Sequence, residues 1–153
     1  MKSYIYPAAT STSRALIRYI IDMMNREPER IFHIAFSGGT TPSLMFDIWA
    51  HEFKKETPWM RMRIFWVDER CVPPTSPDSN YGHANHLLFK PLRIPADHIH
   101  RIKGENEPGT EAMRYSWVVK EFLPLFNQMP TFDCIILGVG EDSHTASIFP
   151  TTM

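Results

Sequence analysis

The sequence has few of the features that mark secreted or membrane proteins. Its 153 residues contain two cysteines, Cys71 and Cys134, which form neither a dense disulfide framework nor a CxxC motif. No segment approaches the roughly 18 consecutive apolar residues that a transmembrane helix needs. Residues 1–5 lack the apolar stretch of a signal peptide. We therefore expect two free thiols, no membrane partner and a cytoplasmic location.

The chain also lacks a large excess of either charge, internal repeats and low-complexity segments. Sixteen Lys and Arg residues stand against 17 Asp and Glu, and the formal net charge is −1. This balance argues against nucleic acid as a partner, although it leaves room for a local basic pocket that binds one phosphate. With 43% apolar and 22% charged residues, the composition is typical of a globular domain with its own core.

Short apolar runs alternate along the chain with segments of helical periodicity. The runs predict buried strands at 31–36, 64–67 and 134–137 and a short edge strand at 98–102. The periodic segments predict helices at 11–25, 42–53, 81–89 and 110–126. Alternation of this kind is typical of an α/β fold, here a three-layer, Rossmann-like arrangement in which helices flank a mainly parallel central sheet.

The ends of the helices are predicted from the residues beside each periodic segment. Ser11 or Ser13 is expected to cap the first helix, and Thr41 is expected to cap the second, with Pro42 in its first turn. Pro124 has no amide proton, so it is expected to shorten the last helix.

Three polar motifs each follow one of the predicted buried strands. They are SGGTT at 37–41, DER at 68–70 and GVGEDSH at 138–144. The carboxyl ends of parallel strands meet at one edge of a sheet, and ligands bind at that edge. The three motifs are therefore predicted to converge on one site.

The glycine-rich motif has the composition of a phosphate cradle. Gly38 and Gly39 permit close approach of the backbone to an anion, and the following helix supplies free amide protons and the positive end of its dipole. Thr40 and Thr41 add hydroxyl groups. The alternative is an ordinary tight turn between a strand and a helix.

The other two motifs carry charged and titratable groups. Arg70 has the planar fork that binds a phosphate or carboxylate, and Asp68 is placed to orient a sugar hydroxyl; a surface ion pair is the alternative. Imidazole titrates near neutral pH, which suits His144 to taking a proton from water; a helix-capping histidine is the alternative. Backbone amides at 140–143 are candidate donors to an oxyanion.

Two further patterns would suit a cofactor or a metal, and both are disfavoured. The GVG at 138–140 matches the start of a dinucleotide fingerprint, but Ser143 occupies the position of its third glycine. His83 and His86 have the spacing to share a helix face, with His98 and His100 further along the chain, but solvated surface histidines are the commoner explanation. No cofactor and no metal site are predicted.

Three segments of the chain resemble the signature blocks of 6-phosphogluconolactonases in their order and separation. They are SGGTTPSLMF, FWVDERCVPPTSPDSNYGHANHLLF and LGVGEDSHTASIFP, of which the last is the most specific. The resemblance implies hydrolysis of 6-phosphoglucono-1,5-lactone to 6-phosphogluconate in the pentose phosphate pathway, without metal or cofactor. The implied partner is this small phosphorylated sugar lactone.

The resemblance also implies a role for each matching residue. His144 would be the general base that activates water, and Asp68 would be the second catalytic residue. Arg70 would hold anionic groups of the substrate, with Asn80 as a supporting residue of the pocket. The contacts to the phosphate would be completed by Ser37, Gly38, Gly39 and Thr40.

The chain departs from the family pattern at two places. Ser143 stands where family members usually have glycine, and a positive φ there would strain serine by about 1 kcal/mol. Family members also continue further, so residues 1–153 are expected to form an incomplete single domain, about the N-terminal two-thirds of the whole. Two alternatives stay open: an aminosugar-6-phosphate isomerase or deaminase of the same fold, and a sugar-phosphate-binding domain without catalytic activity.

Overall fold

A four-stranded parallel sheet forms the centre of the computed structural model, which describes residues 2–150. Three of its strands are β1 (Phe32–Phe36), β2 (Met62–Trp66) and β3 (Ile99–His100). A separate antiparallel hairpin of β4 (Leu125–Phe126) and β5 (Met129–Pro130) follows, and β6 (Cys134–Ile135) then completes the sheet. The order across the sheet is β3-β2-β1-β6, so β3 lies at an edge, as the sequence predicts.

Helical segments connect the strands of the sheet. The long helices are α1 (Ala9–Arg26), α2 (Thr40–Glu52) and α5 (Pro108–Phe122). Between β2 and β3, α3 (Asn80–Ala84) continues through a π-helical turn (Asn85–Phe89) into α4 (Lys90–Leu92). Two short 3-10 turns, Trp59–Arg61 and Ala96–His98, precede β2 and β3. The predicted helix at 81–89 is therefore a helical segment with a π-helical turn inside it.

Side chains of the strands alternate between the two faces of the sheet. Ile34 and Ile64 belong to the main core, which contains apolar residues of α1 and α2. Ala35 and Phe65 belong to a second core, with Leu123 and the inner side of α5. The three-layer α/β architecture with a mainly parallel sheet, predicted from the sequence, is therefore confirmed.

The predicted caps of the first two helices are wrong. The first residue before α1 is Ala8, and the Ser11 hydroxyl lies inside the first turn, where it accepts a hydrogen bond from the Ala8 amide at 3.2 Å. Ser13 is buried within the same helix. The N-cap of α2 is Gly39, so Thr41 also lies inside the first turn. Both helices therefore begin before the residues predicted to cap them: α1 begins at Ala9 and α2 begins at Thr40.

The boundaries of α5 follow from prolines and a carboxylate. The helix begins at Pro108, where the Glu107 carboxylate accepts hydrogen bonds from the amides of Gly109 at 2.8 Å and Thr110 at 2.7 Å. It ends at Phe122, because Pro124 cannot continue the ladder of helical hydrogen bonds. The expected shortening is confirmed.

The two thiols are free, as the sequence predicts. Cys71 and Cys134 are both free, the first exposed and the second half-buried. Within residues 2–150, none of the helices combines the length and the hydropathy that a membrane-spanning segment needs. The predicted single domain over 1–153 includes residue 1 and residues 151–153, which lie outside the described part of the chain.

Candidate functional site

The three polar motifs converge on one cleft at the carboxyl ends of β1, β2 and β6. The cleft has a volume of about 470 Å³. It is lined by every predicted site residue except Asn80, that is, by Ser37, Gly38, Gly39, Thr40, Asp68, Arg70 and His144. These residues come together because the three strands run parallel and are neighbours in the sheet, so the loops that leave them meet at one edge.

The glycine-rich loop presents the amino end of α2 to the cleft. Gly39 has φ 110° and ψ −179°, a backbone conformation that is essentially restricted to glycine. No side chain caps α2, and Thr40 and Thr41 are exposed. The first amide protons of this 13-residue helix therefore face the cleft without an internal partner, which is the arrangement that binds anions at helix termini.

Ser37 and Asn80 connect the loops that form the cleft. The Ser37 hydroxyl donates a hydrogen bond to the carbonyl oxygen of Ile136 at 2.8 Å, and only 6% of the residue is exposed. The Asn80 amide group donates to the carbonyl oxygen of Asp68 at 3.1 Å and packs so closely on Gly38 that a Cβ there would overlap it. These two side chains thus hold the loops in register, because the Ser37 hydroxyl and the Asn80 amide nitrogen both donate to the backbone of other segments.

Glu69 anchors the DER loop, a role that the sequence motif alone does not reveal. Its carboxylate accepts hydrogen bonds from the amides of Asn80 at 2.7 Å and Tyr81 at 2.9 Å, and from its neighbour Arg70 at 2.8 Å. The Ser79 hydroxyl donates a fourth hydrogen bond at 3.1 Å. A carboxylate at the start of α3 satisfies helical amides that would otherwise lack partners. Glu69 therefore fixes the position of the residues on either side of it.

The two neighbours of Glu69 bring opposite charges to the cleft. Asp68 is half-buried, and its burial raises the pKa of the carboxyl group, an effect that the positive charge of Arg70 opposes. Arg70 is exposed. Within the described part of the chain, its guanidinium has no carboxylate within salt-bridge distance. The cleft thus contains a cationic fork that is available to an anionic ligand.

His144 is oriented by Asp142, two residues before it. The imidazole Nδ1 makes a short hydrogen bond to Asp142 Oδ1, and the backbone amide of His144 lies 3.3 Å from the same oxygen. An ionised carboxylate only accepts hydrogen bonds, so in the neutral imidazole Nδ1 carries the proton and Nε2 keeps a free lone pair. The same hydrogen bond lowers the pKa of Asp142. The pair has the arrangement of an oriented general base.

The loop around His144 is tightly closed. A Cβ at Gly140 would overlap the His144 ring, and the Gly140 amide donates to the His144 carbonyl oxygen at 2.8 Å. The Ser143 amide donates to the Gly140 carbonyl oxygen at 2.9 Å. Two of the amides predicted as oxyanion donors are therefore engaged within the loop. His144 is followed by a turn in which Thr145 and Ile148 exchange backbone hydrogen bonds, and not by a helix that it could cap.

Ser143 has a positive φ of 68°, a conformation that glycine adopts without strain. We expect Ser143→Gly to raise the free energy of unfolding by up to about 1 kcal/mol, because it relieves this strain. Equilibrium unfolding in urea measures the change. Ser147→Gly is the matched control: it replaces an exposed serine of the same loop that has no positive φ and should not stabilise the chain. Equal gains in both variants would contradict this explanation.

The four histidines considered as metal ligands do not line the cleft that contains His144. His83 Nε2 lies 2.7 Å from the carbonyl oxygen of Pro77, and His98 is buried beside β3. Over residues 2–150, no three His, Cys, Asp or Glu side chains are grouped to hold a metal ion.

The chain matches known proteins over almost its whole length. A model of the family described as glucosamine-6-phosphate isomerases/6-phosphogluconolactonase matches residues 7–153. A 6-phosphogluconolactonase of Treponema pallidum is 41% identical over 152 residues, which cover 98% of this chain and 61% of that protein. Another, of Haemophilus influenzae, is 45% identical over 119 residues, which cover 77% of this chain and 50% of that protein.

A solved structure agrees with the sequence matches. The crystal structure described as the devB protein superimposes with a TM-score of 0.89 and 41% identity, covering 95% of this chain and 61% of that one. The chain thus spans between half and about three-fifths of the length of these relatives. The matched region contains the three motifs that form the cleft. The chain therefore belongs to the family of glucosamine-6-phosphate isomerases and 6-phosphogluconolactonases.

Proposed function

We propose that this chain carries the water-activating and phosphate-binding site of a 6-phosphogluconolactonase, which hydrolyses 6-phosphoglucono-1,5-lactone to 6-phosphogluconate. The observation that carries the proposal is the pairing of His144 with Asp142 in a cleft that also contains Arg70 and the amino end of α2. Relatives with 41% and 45% identity bear the name of this enzyme.

The oriented imidazole supplies the base that lactone hydrolysis needs. Nε2 of His144 takes a proton from water as the water oxygen attacks the lactone carbonyl carbon, and Asp142 stabilises the imidazolium that forms. The carbonyl becomes a tetrahedral oxyanion. When it collapses, the bond to the ring oxygen breaks, and the imidazolium returns its proton to that oxygen. The product is an open-chain acid, and His144 is again neutral.

The remaining groups of the cleft bind and orient the substrate. Arg70 and the amides at the start of α2, near Gly39 and Thr40, bind the phosphate as a dianion. Asp68 accepts a hydrogen bond from a sugar hydroxyl. Holding the phosphate away from the reacting carbon fixes the ring against His144, which lowers the entropic part of the barrier.

Hydrolysis of freshly generated lactone, measured against the spontaneous rate, tests the proposal. We expect the 153-residue chain to accelerate the reaction and to release no ammonia from glucosamine-6-phosphate. Ammonia release would instead identify an aminosugar-phosphate deaminase. Binding of 6-phosphogluconate without any acceleration would identify a sugar-phosphate-binding domain, and either result would contradict the proposed activity.

Arg70→Gln is expected to weaken binding of 6-phosphogluconate by about tenfold to a hundredfold, because a charge-assisted contact to the phosphate is lost. Isothermal titration of the parent and variant chains measures the change. Arg26→Gln is the matched control, since it removes the same charge from an exposed position on α1 far from the cleft lining. Equal affinity of the Arg70 variant and the parent chain would exclude Arg70 from the phosphate site.

A further inference from the structure

A second cavity lies outside the candidate active site, beside the edge strand β3. It has a volume of about 470 Å³ and is enclosed by the helical segment that contains α3, the π-helical turn and α4, by β3 and by α5. None of its lining residues lines the cleft that contains His144. We call this cavity the basic pocket.

Positive charge dominates the lining of the basic pocket. Five cationic side chains line it and no carboxylate does, although the whole chain has a net charge of −1. The five are Lys90, Arg93, Arg101, Lys103 and Arg114. This concentration of one sign in a concave site raises the local concentration of anions.

Two of these five cations form close ion pairs, and the other three do not. Arg101 is neutralised by Glu105, with nitrogen–oxygen distances of 2.6 and 2.9 Å, and Arg114 by Glu111, at 2.5 and 2.8 Å. The other three make no ion pair within residues 2–150; they are Lys90, Arg93 and Lys103, of which Lys103 is close enough to Glu105 for its charge to help lower the pKa of that carboxyl group. The pocket therefore keeps an uncompensated positive charge that an anionic ligand of more than one charge would match.

The floor of the basic pocket is apolar and aromatic. Tyr81, Phe89, Ile94 and Ile99 contribute to its lining. The Arg101 guanidinium stacks over the Tyr81 ring, 5.2 Å from its centroid. Tyr81 is half-buried, whereas Phe89 belongs to the buried core. A lining that combines the Tyr81 ring, aliphatic side chains and a stacked guanidinium matches a ligand with a planar ring as well as an anionic group.

Arg93 lines the basic pocket at a point where the backbone reverses its direction. The helical segment before it contains a π-helical turn, and Arg93 itself ends α4 with a positive φ of 54°, an uncommon conformation for a residue with a side chain. The chain reverses there, and the amide of Ile94 donates to the Phe89 carbonyl oxygen at 3.0 Å. The reversal puts a cation and an apolar side chain in consecutive positions of the pocket wall.

We propose that the basic pocket is a second ligand site of this protein, and that it binds a nucleoside phosphate. The phosphates are held by Lys90, Arg93 and Lys103, and the base packs on the apolar floor beside Tyr81. This site is separate from the proposed lactonase cleft and does not depend on its activity.

Isothermal titration of the whole 153-residue chain with ADP at low ionic strength tests the proposal. We expect saturable binding that the double variant Lys90→Gln/Arg93→Gln weakens by about tenfold or more. Arg70→Gln should leave ADP binding unchanged, because Arg70 lies in the other cleft. Thermal unfolding of each variant verifies that it is folded.

The matched control is Lys54→Gln/Lys55→Gln, which removes two exposed charges far from the basic pocket. We expect no change in ADP affinity for this control. The proposal is overturned if the parent chain binds no ADP, if Arg70→Gln abolishes binding, or if the control weakens binding as much as the pocket variant. Inorganic pyrophosphate should bind more weakly than ADP, and equal affinity would overturn the assignment of a ring-bearing ligand.

Discussion

His144→Ala is expected to reduce the enzymatic rate of lactone hydrolysis by about 10²- to 10⁴-fold, the usual contribution of a positioned general base. The physical reason is the pairing with Asp142, which leaves Nε2 unprotonated and directed to accept a proton from water. Because the imidazole acts on water and not on the phosphate, affinity for 6-phosphogluconate should change little. Initial rates at saturating lactone, corrected for spontaneous hydrolysis, measure the effect.

Two further variants separate a chemical role of His144 from a structural one. His51→Ala removes an exposed histidine from the last turn of α2 and should not affect the rate. Asp142→Asn keeps the shape of the side chain, but its amide group can donate to Nδ1 and so favours the wrong tautomer; its rate should fall as well. An unchanged rate in His144→Ala would contradict the proposed mechanism.

Glu69→Ala is expected to lower the free energy of unfolding by about 2–4 kcal/mol, because it leaves several amide donors without an acceptor. The amides of Asn80 and Tyr81 lose the carboxylate that caps the start of α3, and Asn80 is 4% exposed, so water replaces that partner poorly. Equilibrium unfolding in urea measures the loss. The affinity for 6-phosphogluconate should fall in the same variant, because the Arg70 amide is also released.

The effect of Glu69 is distinguished from that of an ordinary surface charge by Glu29→Ala. Glu29 is exposed, and no hydrogen bond or ion pair ties it to the described part of the chain. We expect this control to leave stability almost unchanged. Glu69→Gln retains one acceptor oxygen and should fall between the two. If Glu69→Ala costs no more than Glu29→Ala, the anchoring role is wrong.

Tertiary structure shows which contacts particular residues of the predicted site make. Asn80 is predicted to support the pocket, and in the structure its side chain packs against Gly38 and donates a hydrogen bond to the carbonyl oxygen of Asp68 without lining the cleft itself. Asp142 belongs to the recognised GVGEDSH motif, but its hydrogen bond to His144 becomes evident only when the loop closes. The proposed roles in substrate binding and catalysis stay predictions until the variants are measured.

The sequence by itself determined the alternation of helices with the four strands of the sheet, their parallel arrangement and the convergence of three motifs at its edge, but not the hairpin β4–β5, whose first strand lies within the helix predicted at 110–126. These features follow from local patterns, since hydrophobic periodicity and the motif after each strand are read within about ten residues. Tertiary structure decided which polar atoms face the cleft. Ser37 bonds to the backbone of Ile136, 99 positions away, and Glu69 bonds to the backbone of Asn80, 11 positions away. Such partners compete for each donor and acceptor only after distant segments have been packed together, so no local pattern specifies the outcome.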